Sequence, residues 1–259
     1  MVNEDLLVHK NGAILELTLN RPDRLNAFSE EMVVGLMEAC KEAQRDASIR
    51  VVVLSGAGRS FSAGGDVKTM GEASPVQVYE HIGKLNECIV AMRELEKPII
   101  AVVHGFAAGA GFNLALASDL IVASTESRFV LSFAQVGLIS DGGGSYFLPR
   151  LVGPHVAKEL FFLADPLSAQ RAYELGIVNR VVPQEQLREE AANLAERLAN
   201  GPGRAYGMMK RLIDRSFHST LDGILQDERT VQGVMVTTHD HQEGVAAFIE
   251  KRKPHYTGQ

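Results

Sequence analysis

The sequence predicts an α/β core followed by a helical C-terminal region, on two observations. Up to about residue 150, short apolar runs alternate with stretches whose apolar residues recur at helical spacing. After about Pro154 helical spacing dominates, and only residues 177–182 look extended. Alternating strands and helices imply parallel βαβ units, whose connecting loops gather at one edge of a sheet. With 259 residues, 46% of them apolar, the chain can bury a core of this size.

The elements of the first hundred residues follow from these patterns. Apolar and polar residues alternate over residues 13–20, which predicts a strand. Helical spacing over residues 29–43 predicts a helix, with Ser29 as its N-cap. The run VVVLSG at residues 51–56 predicts a buried strand, and residues 75–95 predict a second helix.

The pattern then continues towards the C-terminus. We expect a strand from Ile99, a short helix after Gly111 and a strand over residues 120–124. Further helices are predicted at residues 186–200, 204–216, 220–237 and 242–253, with the sequence GPG ending the first of them. We therefore divide the chain into a core of residues 1–200 and a helical region of residues 201–259.

Composition excludes several classes of protein. A formal net charge of −6 argues against a nucleic-acid-binding surface, and we interpret the basic tract KRKPH at residues 251–255 as a solvated end. Cys40 and Cys88 are too few for a disulfide framework or a structural zinc site, and no metal-ligand spacing occurs, so we expect a cytoplasmic protein without a metal. No apolar run reaches the roughly 20 residues that span a bilayer, so we expect no membrane partner.

Two glycine-rich segments each follow an apolar strand. They are SGAGRSFSAGGD at residues 55–66 and HGFAAGAGFNLALASD at residues 104–119. Neither fits a dinucleotide-binding fingerprint, because Phe61 and Leu114 stand where the third small residue is needed, and no Walker A sequence occurs. A small-residue turn that opens a helix exposes backbone N–H groups. The pair of segments therefore predicts an oxyanion hole, in which two backbone donors meet one acyl oxygen.

A third glycine cluster, GLISDGGGSYFLPRLVG at residues 137–153, contains Asp141. An aspartate before glycines is typical of a turn, so spacing alone favours a structural role. A pocket with an oxyanion hole, however, needs a group that transfers protons. Asp66 and Asp119 are each explained by capping or by a strand end, which leaves Asp141 as the candidate. Asn113 is polar near the predicted hole but cannot act as an acid or base.

Together these segments, with NRPDRLNAFS and the closing EGVAAFIEKRKPHY, resemble the crotonase (enoyl-CoA hydratase/isomerase) superfamily over essentially the whole chain. The resemblance implies a crotonase-type ββα spiral core with a helical C-terminal trimerisation region, and homotrimers or dimers of trimers. It also implies an acyl-CoA thioester substrate, whose carbonyl is held by the backbone N–H groups of Gly65 and Ala110. No cofactor is implied, because coenzyme A is part of the substrate.

The resemblance also suggests residues that contact the CoA part of the substrate. In family members the CoA moiety meets the segments that correspond here to residues 25–27 and 63–68. The residues carried over are Leu25, Ala27, Ala63, Asp66 and Lys68. A lysine such as Lys68 can meet a phosphate.

Two departures from the family pattern bear on the reaction. Hydratases of the family use two glutamates, at positions where this chain has Asn113 and Phe133. Asp141 corresponds to a carboxylate of the isomerase branches, and the surrounding sequence is most similar to the epoxyphenylacetyl-CoA isomerase branch. We therefore expect an isomerase that shifts a double bond, with Asp141 as acid/base and Asn113 orienting substrate or a water. Phe133 is expected in an apolar wall that excludes water and raises the proton affinity of Asp141.

Other chemistries remain open at this point. Hydration by an unusual route is one, and a dihydroxynaphthoyl-CoA synthase reaction is another. A dehalogenase of the superfamily also has an aspartate here, but it uses tryptophan, and this chain has none. A catalytically silent acyl-CoA-binding subunit of a larger complex would equally lack both glutamates.

Overall fold

Nine strands and nine helices occur in the computed structural model, which describes residues 4–66 and 74–259. The strands are β1 (Leu6–Asn11), β2 (Ile14–Leu19), β3 (Val51–Gly56), β4 (Ile99–Val103), β5 (Phe106–Ala108), β6 (Leu120–Ser124), β7 (Arg128–Val130), β8 (Leu167–Ser168) and β9 (Arg180–Val182). The helices are α1 (Glu30–Arg45), α2 (Pro75–Glu94), α3 (Ala110–Leu116), α4 (Gly144–Leu163), α5 (Ala169–Glu174), α6 (Leu187–Ala199), α7 (Gly203–Ser216), α8 (Leu221–Met235) and α9 (His239–Glu250).

Six of the strands form the main sheet, in the order β1-β2-β3-β4-β6-β9. The β1–β2 pair is antiparallel and the other pairs are parallel. A smaller sheet has the order β5-β7-β8. A single bridge between Ser62 and Ala107 connects β5 to the segment after β3. The ends of β3 and β4 therefore deliver the two glycine-rich segments to neighbouring positions.

Both faces of the main sheet are covered. Val52 and Leu54 of β3 point into the larger hydrophobic core, which also contains the buried face of α1. Val51 of the same strand and Ile100 of β4 point the other way, into a smaller core with α6. Alternate residues of a strand face opposite sides, so an apolar run such as VVVLSG suits a strand buried on both faces.

The helix starts agree with the sequence. Ser29 caps α1, since its Oγ accepts a hydrogen bond from the backbone N–H of Met32 at 3.1 Å. Ser74 and Gln77 form a reciprocal capping box at the start of α2. The α/β core followed by C-terminal helices is confirmed.

Some elements differ from the prediction. The turn that an aspartate before glycines predicts is present at residues 142–143, but the helix α4, which begins directly after it at Gly144, was not predicted. The strands β1, β5, β7 and β8 were not predicted. The strands β5, β7 and β8 have only two or three residues, which is too short to show an alternation of apolar and polar residues. In β1 only the first residue is buried, so its sequence shows no such alternation either.

Ion pairs attach the C-terminal helices to the core. Lys210 of α7 lies 2.9 Å from Asp119, which also accepts a hydrogen bond from the backbone N–H of Ile99 at 2.8 Å. Arg93 of α2 pairs with Asp214 of α7. The structural role expected for Asp119 is confirmed by these contacts. Within residues 4–66 and 74–259, no helix combines the length and apolar character that crossing a membrane requires.

Candidate active site

A cavity of about 990 Å³ lies between the start of α1, helix α2 and the loop of residues 138–143. Phe28 and Asp66 line it on one side, and Asp141 lines it on another. Its walls therefore combine apolar groups with a few polar ones, which is typical of a site for a small organic ligand.

Asp141 differs from the other carboxylates of this cavity, of which Glu80 is exposed and the other two are paired. Glu30 pairs with Lys84, and Asp66 lies 3.2 Å from Arg24. Asp141 has no cationic partner among the described residues, and its Oδ1 is buried without a hydrogen bond. Burial raises the pKa of the Asp141 carboxyl to about 6, and a hydrogen bond from its own backbone N–H offsets part of that rise. Such a carboxyl can exchange protons near neutral pH.

Asn113 of α3 holds the loop that carries Asp141. Its side chain is fully buried, and its Nδ2 donates to the backbone carbonyl of Asp141 at 2.8 Å and to Ser140 Oγ at 3.0 Å. The loop sits directly on these groups, since a Cβ atom on Gly144 would lie 2.4 Å from Asn113 Oδ1. Both amide hydrogens of Asn113 are therefore used within the protein, and only Oδ1 lacks a partner.

The two glycine-rich segments meet beside this cavity. The backbone N–H of Ala108 donates to the carbonyl of Ser62 at 2.9 Å, and the N–H of Ser62 donates to Phe106 at 3.1 Å. Gly64 has a φ of +80°, and a Cβ atom on it would lie 2.8 Å from the backbone nitrogen of Ala110. The two segments are thus in direct contact next to Gly65 and Ala110, the residues that the family resemblance implies as oxyanion-hole donors.

At this meeting point the N–H groups of Gly65 and Ala110 have no partner among the described residues, whereas the neighbouring N–H of Gly109 donates to the carbonyl of Val130 at 2.8 Å. Backbone donors that are held by the fold but not hydrogen-bonded are what an oxyanion hole requires.

Buried polar side chains hold the first segment in place. Asn26 is fully buried, and its Nδ2 donates to the carbonyls of Ala57 and Ser60, each at 2.8 Å. Ser62 Oγ donates to the carbonyl of Asn26 at 2.7 Å and accepts from the N–H of Gly64 at 3.1 Å. Sequence reasoning missed both roles, although Asn26 lies within a motif that it singled out.

The residues predicted to contact CoA are partly placed. The N–H of Ala63 donates to the carbonyl of Leu25 at 2.8 Å, so these two residues are adjacent, and Ala27 is buried close by. Asp66 lines the cavity. Lys68 lies outside the described residues. Contact of these residues with CoA stays a prediction.

Phe133 lies in a 3-10 turn, Ser132–Val136, beside the second glycine-rich segment. A Cβ atom on Gly109 would be 3.6 Å from Phe133 Cζ, and Phe133 is not among the described residues that line the cavity. Leu85 of α2 approaches the Asp141 loop instead, since a Cβ atom on Gly142 would lie 3.5 Å from Leu85 Cδ2. The role of Phe133 as a wall beside Asp141 stays a prediction.

Helix α2 supplies cavity residues that the sequence did not indicate. Gln77, His81 and Lys84 all line the cavity. The helix itself was predicted, but few of its residues are buried, and so the apolar pattern does not mark the side that faces the ligand.

Comparisons with known proteins agree with this geometry. The family model described as Enoyl-CoA hydratase/isomerase matches residues 9–259. The chain is 40% identical to 1,2-epoxyphenylacetyl-CoA isomerase of Escherichia coli and 32% identical to crotonyl-CoA hydratase of Syntrophomonas wolfei, each match covering 99% of both chains. A crystal structure of an enoyl-CoA hydratase from a Polaromonas species superimposes with a TM-score of 0.94 at 37% identity, over 97% of this chain and 99% of that one.

Proposed function

This chain belongs to the enoyl-CoA hydratase/isomerase family, with the crotonase fold, and from that premise we propose that it is an acyl-CoA isomerase. In this proposal it moves a carbon–carbon double bond along the acyl group of a CoA thioester. Removing a proton from the α-carbon of a thioester places negative charge on the carbonyl oxygen. That enolate is the species which the site must stabilise.

The two unpartnered N–H groups take this role in the proposal. Gly65 and Ala110 donate to the thioester oxygen as the enolate forms, and the contact between their segments keeps the donors at a fixed separation. Removing a single donor of this kind costs about 100- to 1,000-fold in rate in other acyl-transfer sites. The donors are in place before the reaction, so the charge is met without reorganisation of the protein.

Asp141 is the proposed acid and base. It takes a proton from one carbon of the acyl group and returns it to another, so one carboxyl performs both transfers and no water is consumed. The pKa of about 6 leaves it mostly ionised at neutral pH, yet basic enough to accept a proton. The reaction needs no cofactor beyond the CoA of the substrate.

One observation supports isomerisation over hydration most directly. Asp141 is a buried carboxyl without a cationic partner among the described residues. The family resemblance in addition implies that Asn113 and Phe133 stand where hydratases have glutamates. Asn113 uses both amide hydrogens to hold the Asp141 loop, and an amide cannot activate water as a base. Proton transfer in this proposal therefore falls to Asp141 alone.

Replacement of Asp141 by Asn tests the proposal. The assay is conversion of a 3-enoyl-CoA to the 2-enoyl-CoA, and the Asp141→Asn variant should lose at least about 1,000-fold in kcat. The control is Asp165→Asn, which removes an exposed carboxyl and should leave the rate unchanged. Turnover by Asp141→Asn at the rate of the unmodified enzyme would refute the assignment.

Two other functions give different results in the same experiments. Named relatives include a crotonyl-CoA hydratase and a short-chain-enoyl-CoA hydratase, so hydration is the first alternative. A hydratase adds solvent oxygen to a 2-enoyl-CoA, whereas an isomerase returns an isomer of the same mass. A silent binding subunit binds CoA thioesters and converts none of them.

We also infer that the enzyme works as a homotrimer or a dimer of trimers, in the cytoplasm. Large apolar side chains lie exposed at the end of α4 and along α9, among them Phe162, Leu163, Phe248 and Ile249. Exposed large apolar side chains of this kind support contact with further copies. The free thiols Cys40 and Cys88 support a reducing compartment. Light scattering should give three or six times the mass of one chain.

A further inference from the structure

The loop that carries Asp141 is held by a side chain from the helix that begins at the proposed oxyanion hole. Ala110 is the first residue of α3, and Asn113 lies three residues later, about one turn along the same helix. Asn113 Nδ2 donates to the Asp141 carbonyl at 2.8 Å and to Ser140 Oγ at 3.0 Å. A single helical turn therefore connects the donor to the thioester oxygen with the segment that presents the acid/base.

The orientation of the Asn113 amide follows from its partners. The backbone carbonyl of Asp141 can only accept hydrogen bonds, so the nitrogen of the amide must face it. The Asn113 Oδ1 atom is left buried without a partner among the described residues. An unpartnered buried carbonyl costs stability, so this arrangement is not the one that maximises the stability of the fold.

The loop is in close contact with these groups. A Cβ atom on Gly144 would lie 2.4 Å from both Asn113 Oδ1 and Ser140 Oγ, and one on Gly142 would lie 3.5 Å from Asn113 Cβ. Both glycines follow Asp141 within three residues. Their backbone is packed directly on the Asn113 side chain.

We propose that Asn113 and Ser140 are positioning residues, which fix the distance between the Asp141 carboxyl and a thioester held by Gly65 and Ala110. They act through Asp141 rather than on the substrate. This inference rests on the proposed function. It differs from the expectation that Asn113 orients substrate or a water, because both amide hydrogens are bound to the loop and only Oδ1 is left to accept a hydrogen bond.

Kinetics of three variants test this proposal. The Asn113→Ala variant removes both hydrogen bonds to the loop, and Ser140→Ala removes only the one to the hydroxyl. Ser168→Ala is the matched control, because Ser168 is half-buried like Ser140 and its Oγ bonds the N–H of Arg171 at 3.2 Å at the start of α5. Each is assayed for conversion of a 3-enoyl-CoA to a 2-enoyl-CoA, with kcat and KM determined separately.

The expected pattern is a fall in kcat without a matching rise in KM. A displacement of about 1 Å of a reacting group costs about 100-fold, so Asn113→Ala should lose about that factor in kcat, and Ser140→Ala about tenfold. KM should change by less than about threefold, because ground-state binding does not involve Asp141. Ser168→Ala should retain the kcat of the unmodified enzyme.

Other outcomes would overturn the proposal. They are an unchanged kcat in Asn113→Ala, a rise in KM alone, which would assign Asn113 to substrate binding, or an equal loss in Ser168→Ala. If Asn113→Ala does not fold, the Ser140→Ala variant provides the test. The proposal then requires that Ser140→Ala lowers kcat without a matching rise in KM. Failure of the proposed function itself is separate, since there Asp141→Asn would remain active. An inactive Asp141→Asn beside fully active Asn113→Ala and Ser140→Ala would refute positioning alone.

Discussion

Gly64 and Ala110 belong to different glycine-rich segments, yet a Cβ atom on Gly64 would lie 2.8 Å from the backbone nitrogen of Ala110. The N–H groups of Ala110 and of Gly65, the residue after Gly64, have no partner at this point among the described residues. In the proposed site, glycine at position 64 therefore allows donors from two separate segments to approach one acyl oxygen.

Substitution of Gly64 by Ala should impair the proposed reaction strongly. The added methyl group would displace Ala110 or Gly65, and loss of one donor is worth about 100-fold in kcat. Gly12→Ala is a matched control. Gly12 also has a positive φ, of +59°, but a Cβ atom there would meet nothing within 4 Å. Both variants carry the strain of a positive φ, but only Gly64→Ala adds a steric clash, so it should also lose more thermal stability. Steady-state kinetics of the folded proteins should show the loss of kcat in Gly64→Ala and not in Gly12→Ala.

The pH dependence of kcat/KM should report the Asp141 carboxyl. Burial raises the pKa of Asp141 to about 6, and the ionised form is the base. As pH falls through that value the base becomes protonated, so kcat/KM should fall tenfold per pH unit below about pH 6. Rates measured from pH 4.5 to pH 9 would show this limb. A limb centred near pH 4, the range of an ordinary carboxyl, would contradict the assignment.

Removal of the same carboxyl should stabilise the fold at alkaline pH. The folded-state pKa of Asp141 lies above the ordinary value of 3.8, so the folded protein binds more protons between about pH 4 and pH 6 and loses stability as pH rises across that range. Asp141→Asn should therefore raise the free energy of unfolding by about 1 to 2 kcal/mol at pH 8. This is less than the free energy that corresponds to a pKa shift of two units, because the carboxyl is partly solvated.

At pH 4 the two proteins should be equally stable, because the Asp141 carboxyl is protonated there and resembles the amide. Thermal melts at fixed protein concentration, at both pH values, test this. Equal stabilisation at pH 4 and pH 8 would show that the effect is not electrostatic. Asp165→Asn, which changes an exposed residue, should shift neither melt.

The sequence predicts the strands better than it predicts the contacts that hold the loops between them. The strands at residues 51–56 and 120–124 match the structure residue for residue, because runs buried on both faces are almost wholly apolar. The contact of Asn113 with Asp141 joins residues 28 positions apart, and no periodicity encodes it. The network of Asn26 is of the same kind, since its partners lie 31 and 34 residues away.

Exchange of the α-proton in deuterated water tests the central claim most directly. To form a thioester enolate from an acyl-CoA, the enzyme must break the C–H bond at the α-carbon. We predict that the protein incorporates deuterium at the α-carbon of an aliphatic or aromatic acyl-CoA, followed by mass spectrometry, and that Asp141→Asn abolishes this exchange. Tight binding of the same thioesters by calorimetry, without any exchange in the unmodified protein, would contradict the account and identify a silent acyl-CoA-binding subunit.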